Sequence, residues 1–347
     1  MPLTIALDAM GGDHAPQVVI AGADMARERF PELGFLLFGM REQLMPLLDG
    51  RPALAERSRI EHTAERVEAD AKPSQVLRQG LDTSMRLAID AVKEGRAGAA
   101  VSAGNTGALM ALSKFVLKTL PGIERPAIAS VMPTRRSEVV FLDLGANTEC
   151  DAENLVQFAV MGEVYARAVL GVAKPTVGLL NIGTEEVKGN DTIRRAAAAL
   201  RASDLPIEFR GFVEGTDLTS GKVDVVVTDG FTGNVALKVA EGTVGFYTQL
   251  LREAFKSSML ARLGYRLAKP SLEPVRRRLD PRRYNGAMFL GLNGAVVKSH
   301  GGTDALGFAN AIGVAVDLVQ QGTNARIIAE LNRLEEESQR DRHARAS

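Results

Sequence analysis

The chain has one cysteine, no tryptophan, no net charge and no long apolar run. Each shortage removes a class of function. Cys150 alone cannot form an intramolecular disulfide or a cysteine-based metal cluster, and its isolation predicts a reducing compartment. Aromatics make up only 5% of residues, which leaves little to stack on single-stranded nucleic acid. Lys plus Arg and Asp plus Glu balance at 42 each, so no global field draws in DNA or RNA. The longest uncharged stretch, 97–113, carries three Gly with Ser, Asn and Thr and reads as strand and loop rather than a membrane span. No basic leader precedes "PLTIAL", and Asp8 interrupts that run, so no secretory signal is expected and the protein reads as cytoplasmic.

Familiar motifs are missing too. There is no Gly-x-Gly-x-x-Gly after the first apolar run, no Gly-x4-Gly-Lys-Ser/Thr and no Gly-x-Ser-x-Gly. The four His, at 14, 62, 300 and 343, lack metal-ligand spacing. Dinucleotide, P-loop nucleotide, serine-nucleophile and metal chemistry are all disfavoured, and no cofactor is expected.

What is present is glycine, 34 copies or roughly 10% against a usual 7% or so, and a repeated pattern. A short apolar run ends in a polar, Gly-bearing loop, and a helical stretch follows. "LTIAL" leads into "DAMGGD", "AGAAV" into "SAGNTG", "EVVFL" into "DLGANTE", "PTVGLL" into "NIGTEEVKGN", "KVDVVV" into "TDGFTGN" and "GAVVK" into "SHGGTD". Apolar runs without polar alternation suit strands buried on both faces, as in a parallel sheet. The intervening segments have helical spacing, with Asp191 placed to cap "DTIRRAAAALRASD". The alternation predicts a layered α/β fold whose loops line one crevice beyond the carboxyl ends of the strands.

In those loops Gly lets backbone N–H groups approach an anion, and Asn or Thr adds neutral donors. Any one loop is equally well a good turn, because Asn, Asp and Gly dominate turns for backbone reasons. Six together point to a site. It offers Asn, Thr, Gly, Lys188, His14, His300 and a few Asp, with no covalent nucleophile; Cys150 reads as a small buried residue. Such a set suits two bound substrates reacting directly, with the protein supplying position and oxyanion donors.

The strings "DAMGGDHAP", "SAGNTGALM", "ERPAIA", "LDLGAN", "VGLLNIGTEEVKGN", "GFVEG", "DVVVTDGFTGNVALK" and "VVKSHG" closely resemble the acyl-ACP:phosphate acyltransferases of bacterial phospholipid synthesis, the PlsX family. The resemblance runs from Asp8 to about Gly313 in the family's order. It implies a three-layer α/β/α fold with a large, mostly parallel sheet, like isocitrate and isopropylmalate dehydrogenases and phosphotransacetylase. It implies that inorganic phosphate takes an acyl group from acyl carrier protein, in a homodimer without metal or nucleotide. Carried over residue by residue, Lys188 and Asn234 are the catalytic candidates, with His14 and Asp229 to manage protons. Asp8, Gly11, Gly12, Asn105, Thr106, Asn147, Thr184, Thr232 and His300 are the substrate- and phosphate-binding candidates. Competing roles stand beside these: Lys188 as a surface charge, Asn234 as a helix cap, Asp229 as a turn residue. The segment "YNGAMFLGLNG" departs from the family's usual Gly-Gly-Ala-Pro form, which leaves chain-length preference open.

Residues 252–283 break the pattern with ten Lys or Arg against three acids, a net charge of +7. Leu251, Phe255, Met259, Leu263 and Leu267 recur every four residues and predict one apolar stripe on a basic helix. Arg262, Arg266, Lys269, Arg276, Arg277 and Arg278 are candidates to meet acidic acyl carrier protein or a membrane surface, including contact with the downstream membrane acyltransferase; packing of the stripe in a dimer is the alternative. Residues 1–330 read as a single α/β catalytic domain with 242–283 as a helical excursion, and 331–347 as a fraying tail. A phosphate acyltransferase using short-chain CoA thioesters, an NAD-linked dehydrogenase and a membrane-surface scaffold are the other readings.

Overall fold

The computed structural model describes residues 2–203, 205 and 207–332. Eleven strands alternate with helices. The first half contains β1 (Thr4–Asp8), α1 (Gln17–Arg29), β2 (Gly34–Gly39), α2 (Arg41–Asp49), α3 (Pro52–Ala55), β3 (Ser58–His62), α4 (Pro73–Gln79), α5 (Ser84–Lys93), β4 (Ala99–Ser102) and α6 (Thr106–Leu117). A hairpin, β5 (Ala127–Pro133) and β6 (Glu138–Leu142), leads to α7 (Ala152–Val169), β7 (Thr176–Leu180), α8 (Asp191–Ala202), β8 (Glu208–Val213) and β9 (Val225–Val227). Two helices, α9 (Gly230–Lys256) and α10 (Met259–Arg278), precede β10 (Ala287–Leu290), β11 (Ala295–Lys298) and α11 (Ala305–Gln320).

All eleven strands form one sheet, ordered β3-β2-β1-β4-β11-β10-β5-β6-β9-β7-β8. Apolar runs end up buried on both faces because helices cover both. Ile5, Leu7, Ala99 and Val101 share one buried cluster with residues of α1, α7 and α11, while Ala6, Ala100 and Phe141 share another with residues of α5 and α6. The three-layer α/β/α fold that the resemblance implies is therefore present.

Strand direction corrects one expectation. β10 is antiparallel to both β11 and β5, and β5 is antiparallel to β6. β1, β2, β3, β4, β11 and β5 therefore run one way, and β10, β6, β9, β7 and β8 the other. The loops after β1, β4 and β11 leave one edge of the sheet, and those after β6, β7 and β9 leave the opposite edge. They form two clusters, not a single row. Neighbouring strands rotate by roughly 20–25°, so the four steps from β4 to β6 accumulate about 80–100° of twist. Opposite edges of so twisted a sheet do not point in opposite directions in space.

The basic segment also differs from its expectation. α9 buries Gly230 and Gly233 at its start and nothing thereafter, and α10 buries no residue. Ser258 caps α10 by accepting a bond from the Ala261 N–H, so the predicted stripe is split between two helices rather than laid along one. The pair packs on itself, with the Phe255 and Tyr265 rings 5.2 Å apart. Phe246, Met259, Leu260 and Leu267 are at least 65% exposed. Among the described residues no helix is long and apolar enough to cross a membrane. The tail, apart from Leu331 and Asn332, lies outside the described residues.

Candidate active site

Each loop cluster is built around an aspartate that follows an apolar strand. At the first edge this is Asp8, 1% exposed. Its Oδ1 accepts from the Ser84 hydroxyl (2.6 Å) and the Met10 N–H (3.4 Å), and its Oδ2 accepts from the Ser102 hydroxyl (2.6 Å). The Gly104 N–H in turn donates to Ser102 Oγ at 3.0 Å. Burial raises the Asp8 carboxyl above the ordinary aspartate value, and the serine hydroxyls and loop N–H groups oppose that shift. Gly11 is required here because a Cβ would lie 2.3 Å from Asp8 Oδ2. Gly12, at φ +106°, passes tightly against Ala103 and Gly301.

His14 and His300 are both exposed on this rim. His300 Nδ1 accepts from the Gly302 N–H at 3.2 Å, and the main-chain N–H of His300 donates to Asn285 Oδ1 at 2.9 Å. Asn105 is fully engaged: Oδ1 caps α6 through the Ala108 N–H (2.9 Å), and Nδ2 donates to the Ala69 and Ala71 carbonyls. It shapes the loop and has no amide hydrogen free for phosphate in this arrangement. Thr106, the first residue of α6, is exposed.

At the second edge the anchor is Asp143, fully buried. Oδ1 accepts from the N–H groups of Ile128 (3.0 Å), Gly145 (3.2 Å) and Ala146 (3.0 Å). Oδ2 accepts from the Asn147 N–H and the Asn147 side-chain amide, both at 2.8 Å. Burial pushes its carboxyl up, and these donors pull it back. Asn147 also donates to the Pro126 carbonyl (2.8 Å), so it too is a structural tie. α9 starts against this knot: the Gly230 N–H donates to the Asn147 carbonyl at 2.7 Å, and a Cβ on Gly233 would fall 1.8 Å from the Asp143 carbonyl oxygen.

Asp229 is the cap of α9, and its two oxygens accept from the N–H and the hydroxyl of Thr232, both at 2.8 Å. Asp229 is thus engaged as a helix cap, and Thr232 is its partner. Asn234 is not a cap. It sits in the first turn of α9 with its amide unbonded among the described residues, in space left by Gly145 at φ +127°, where a Cβ would lie 2.9 Å from Asn234 Nδ2. Cys150 is half-buried, and burial pushes its thiol up to about 12, which disqualifies it as a nucleophile near neutrality.

Lys188 and Thr184 lie in the exposed loop after β7. Asn181 shapes this loop, accepting from the Ile182 N–H (2.9 Å) and donating to the Lys188 carbonyl (3.2 Å). The Lys188 ammonium has no ion pair among the described residues. The cap of α8 is Asn190, through the Ile193 N–H at 2.9 Å, and not Asp191, which is the first helical residue. No group of His, Cys, Asp or Glu among the described residues could hold a metal ion.

Three surface candidates sit on the exposed face of α10: Arg262, Arg266 and Lys269. Arg276 and Arg277 pair with Glu273 at 3.8 and 3.4 Å, while Arg278 donates to the Thr134 carbonyl and ties the end of α10 to the β5–β6 hairpin. Reading by residue type overlooked Asp143, Ser84 and Ser102. Asp143 had a signal: "FLD" repeats the placement of "ALD", an acid at the end of an apolar strand. The serines had none, because only folding brings them to Asp8.

The chain is thus an α/β protein with two acid-anchored glycine loop clusters, one at each edge of a single mixed sheet. Solved structures of that shape include a phosphotransacetylase from Streptococcus pyogenes (TM-score 0.63, 18% identity, 92% of this chain and 94% of that one) and the EutD phosphotransacetylase from Staphylococcus aureus (TM-score 0.59, 16% identity, the same coverages). At such identity the likeness concerns the fold. The chain belongs to the fatty acid synthesis protein family, whose description matches residues 3–326. It is 66% identical over 331 residues to a phosphate acyltransferase of Rhodospirillum centenum, covering 95% of this chain and 93% of that protein. It is 61% identical over 332 residues to one from Paramagnetospirillum magneticum, covering 96% and 95%. The family and the acyltransferase class drawn from the loop strings are thereby borne out.

Proposed function

We propose that this protein transfers an acyl group from acyl carrier protein to inorganic phosphate, yielding an acyl phosphate for phospholipid synthesis. The observation that carries the reading is the near-full-length identity to proteins named phosphate acyltransferase. The two substrates are proposed to meet where the loop clusters approach. A phosphate oxygen attacks the thioester carbon, a C–O bond forms, the C–S bond breaks, and the sulfur leaves as a thiolate that takes up a proton. Asn234, whose amide is unbonded among the described residues, donates to the thioester oxygen as negative charge develops on it. Lys188 supplies positive charge to the same oxygen or to the incoming phosphate. His14 is assigned the proton, since Asp229 is occupied by Thr232. Residues 1–330 act as one catalytic unit in a cytoplasmic homodimer, and the exposed apolar and basic helix pair serves carrier-protein docking, peripheral membrane contact or dimer packing.

The test is phosphate-dependent release of free carrier protein from a palmitoyl-loaded donor, compared with acetyl-CoA. Release from the long-chain donor is expected; release only from acetyl-CoA would select the short-chain reading, and none at all would elevate a scaffold. Lys188→Ala and Asn234→Ala should each slow turnover at least about tenfold in a folded protein, in line with the loss of one oxyanion donor.

A further inference from the structure

Lys298 has no part in the roles above. It ends β11 at the same sheet edge as Asp8, alongside Ser102 of β4, and is only partly exposed. Its ammonium donates to two main-chain carbonyls, Ala103 at 3.4 Å and Ser299, and pairs with no carboxylate among the described residues. An ammonium carries three donors, so one is left over. Withdrawing a cation from water without forming an ion pair is costly. That cost registers in the ammonium itself, which burial lowers to about 8 against the pull of Asp8 and Asp13. Linking two carbonyls needs no charge; a neutral amide would serve. The charge calls for another explanation.

Its surroundings supply one. The helices that follow β4 and β11 both begin at this edge; α6 is capped by the neutral Asn105 and has no acid in its first turn, whereas the Asp304 carboxylate already caps α11. The close passage of Gly12 by Ala103 and Gly301 brings three loops together beside Lys298. An ammonium with a donor to spare and no ion pair among the described residues, beside the start of α6 and glycine-rich backbone, is an arrangement suited to an oxyanion.

We propose that Lys298 is the cationic anchor of an oxyanion site at this edge, and that inorganic phosphate, the acyl acceptor, is its ligand. The proposal rests on the phosphate-acyltransfer reading. It adds a binding residue that neither the loop strings nor the fold assigns. The same chemistry could come from a phosphodiester on the thioester donor, so the experiment separates the two sources.

Inorganic phosphate is titrated into the full-length protein calorimetrically, for wild type, Lys298→Met and Lys298→Arg, and KM is measured separately for phosphate and for acyl donor. Lys298→Met should weaken phosphate binding and raise its KM by about tenfold or more, with the donor KM unchanged, while Lys298→Arg retains most of the affinity because it keeps the charge. A raised donor KM with unchanged phosphate KM would move the anion to the donor and overturn the proposal. Unchanged phosphate affinity in folded Lys298→Met would overturn it as well. If wild type binds phosphate but shows no turnover, the functional reading fails while the titration still decides Lys298. Should Lys298→Met not fold, the pH profile decides. Besides Lys298, the charged and titratable groups at this edge are Asp8, Asp13, His14, His300 and Asp304, the last paired with Arg282. Wild-type kcat/KM for phosphate should fall as pH rises through about 8, and in Lys298→Arg that fall should move to much higher pH. A flat profile, or the same fall in both proteins, refutes the assignment.

Discussion

Replacing Asp143 and Asp8 by asparagine separates two kinds of buried carboxylate. Both changes remove one charge and keep the shape. At Asp143 every donor is an N–H: three on Oδ1 and two on Oδ2. The better orientation of an asparagine sets its NH2 in place of Oδ2, where it faces the two donors of Asn147. Neither can reverse, since a backbone N–H and an amide NH2 aimed inward have no acceptor to offer. Two buried donors lose their acceptor at about 1–3 kcal/mol each, so Asp143→Asn should destabilise by about 2–6 kcal/mol. At Asp8 the main partners are hydroxyls. A hydroxyl rotates and accepts, so Ser102 can receive the new NH2, and the buried charge is gone. Asp8→Asn should therefore cost no more than about 1 kcal/mol.

Urea denaturation of both variants, followed by far-ultraviolet circular dichroism, measures the difference. Asp8→Asn should also flatten the pH dependence. The folded-state carboxyl titrates above its unfolded value, so its contribution is fully present below the ordinary aspartate range and is lost as pH rises through the raised value. Equal damage from the two substitutions, or an Asp143→Asn protein within about 1 kcal/mol of wild type, would refute the donor-count reasoning.

Two glycines of α9 should respond in opposite directions. Gly233→Ala drives a Cβ into the Asp143 carbonyl and should cost about 3 kcal/mol or more, whereas Gly242→Ala, with open space around it, should gain about 0.5–1 kcal/mol in helix propensity; thermal melts distinguish them. Arg276→Glu with Arg277→Glu should raise the KM for acylated carrier protein more than that for acyl-CoA, and an equal rise for both would argue against docking at that surface. Arg278→Glu should instead lower stability, because it releases α10 from Thr134.

The sequence by itself determined the strands, the glycine loops and the family. Each of these is local: "LTIAL" and "EVVFL" are apolar throughout because helices will cover both faces, and Gly11 or Gly233 is glycine because backbone passes where a Cβ would stand. Tertiary structure decided what depended on partners distant in the chain. The direction of each half of the sheet follows from how β5 turns back along β6 and β10, and no local pattern records that pairing. Ser84 and Ser102 become ligands of Asp8 only across 76 and 94 residues. Asn105 and Asp229, polar residues in promising loops, were absorbed by capping, while Asn234 kept its amide free because the cap had already been supplied five residues earlier. Lys298 drew no reading from the sequence, and only the convergence of three loops showed a buried ammonium with a donor to spare. Residue type sets what a side chain can do; the competition among partners in the folded chain decides which of those things it is left free to do.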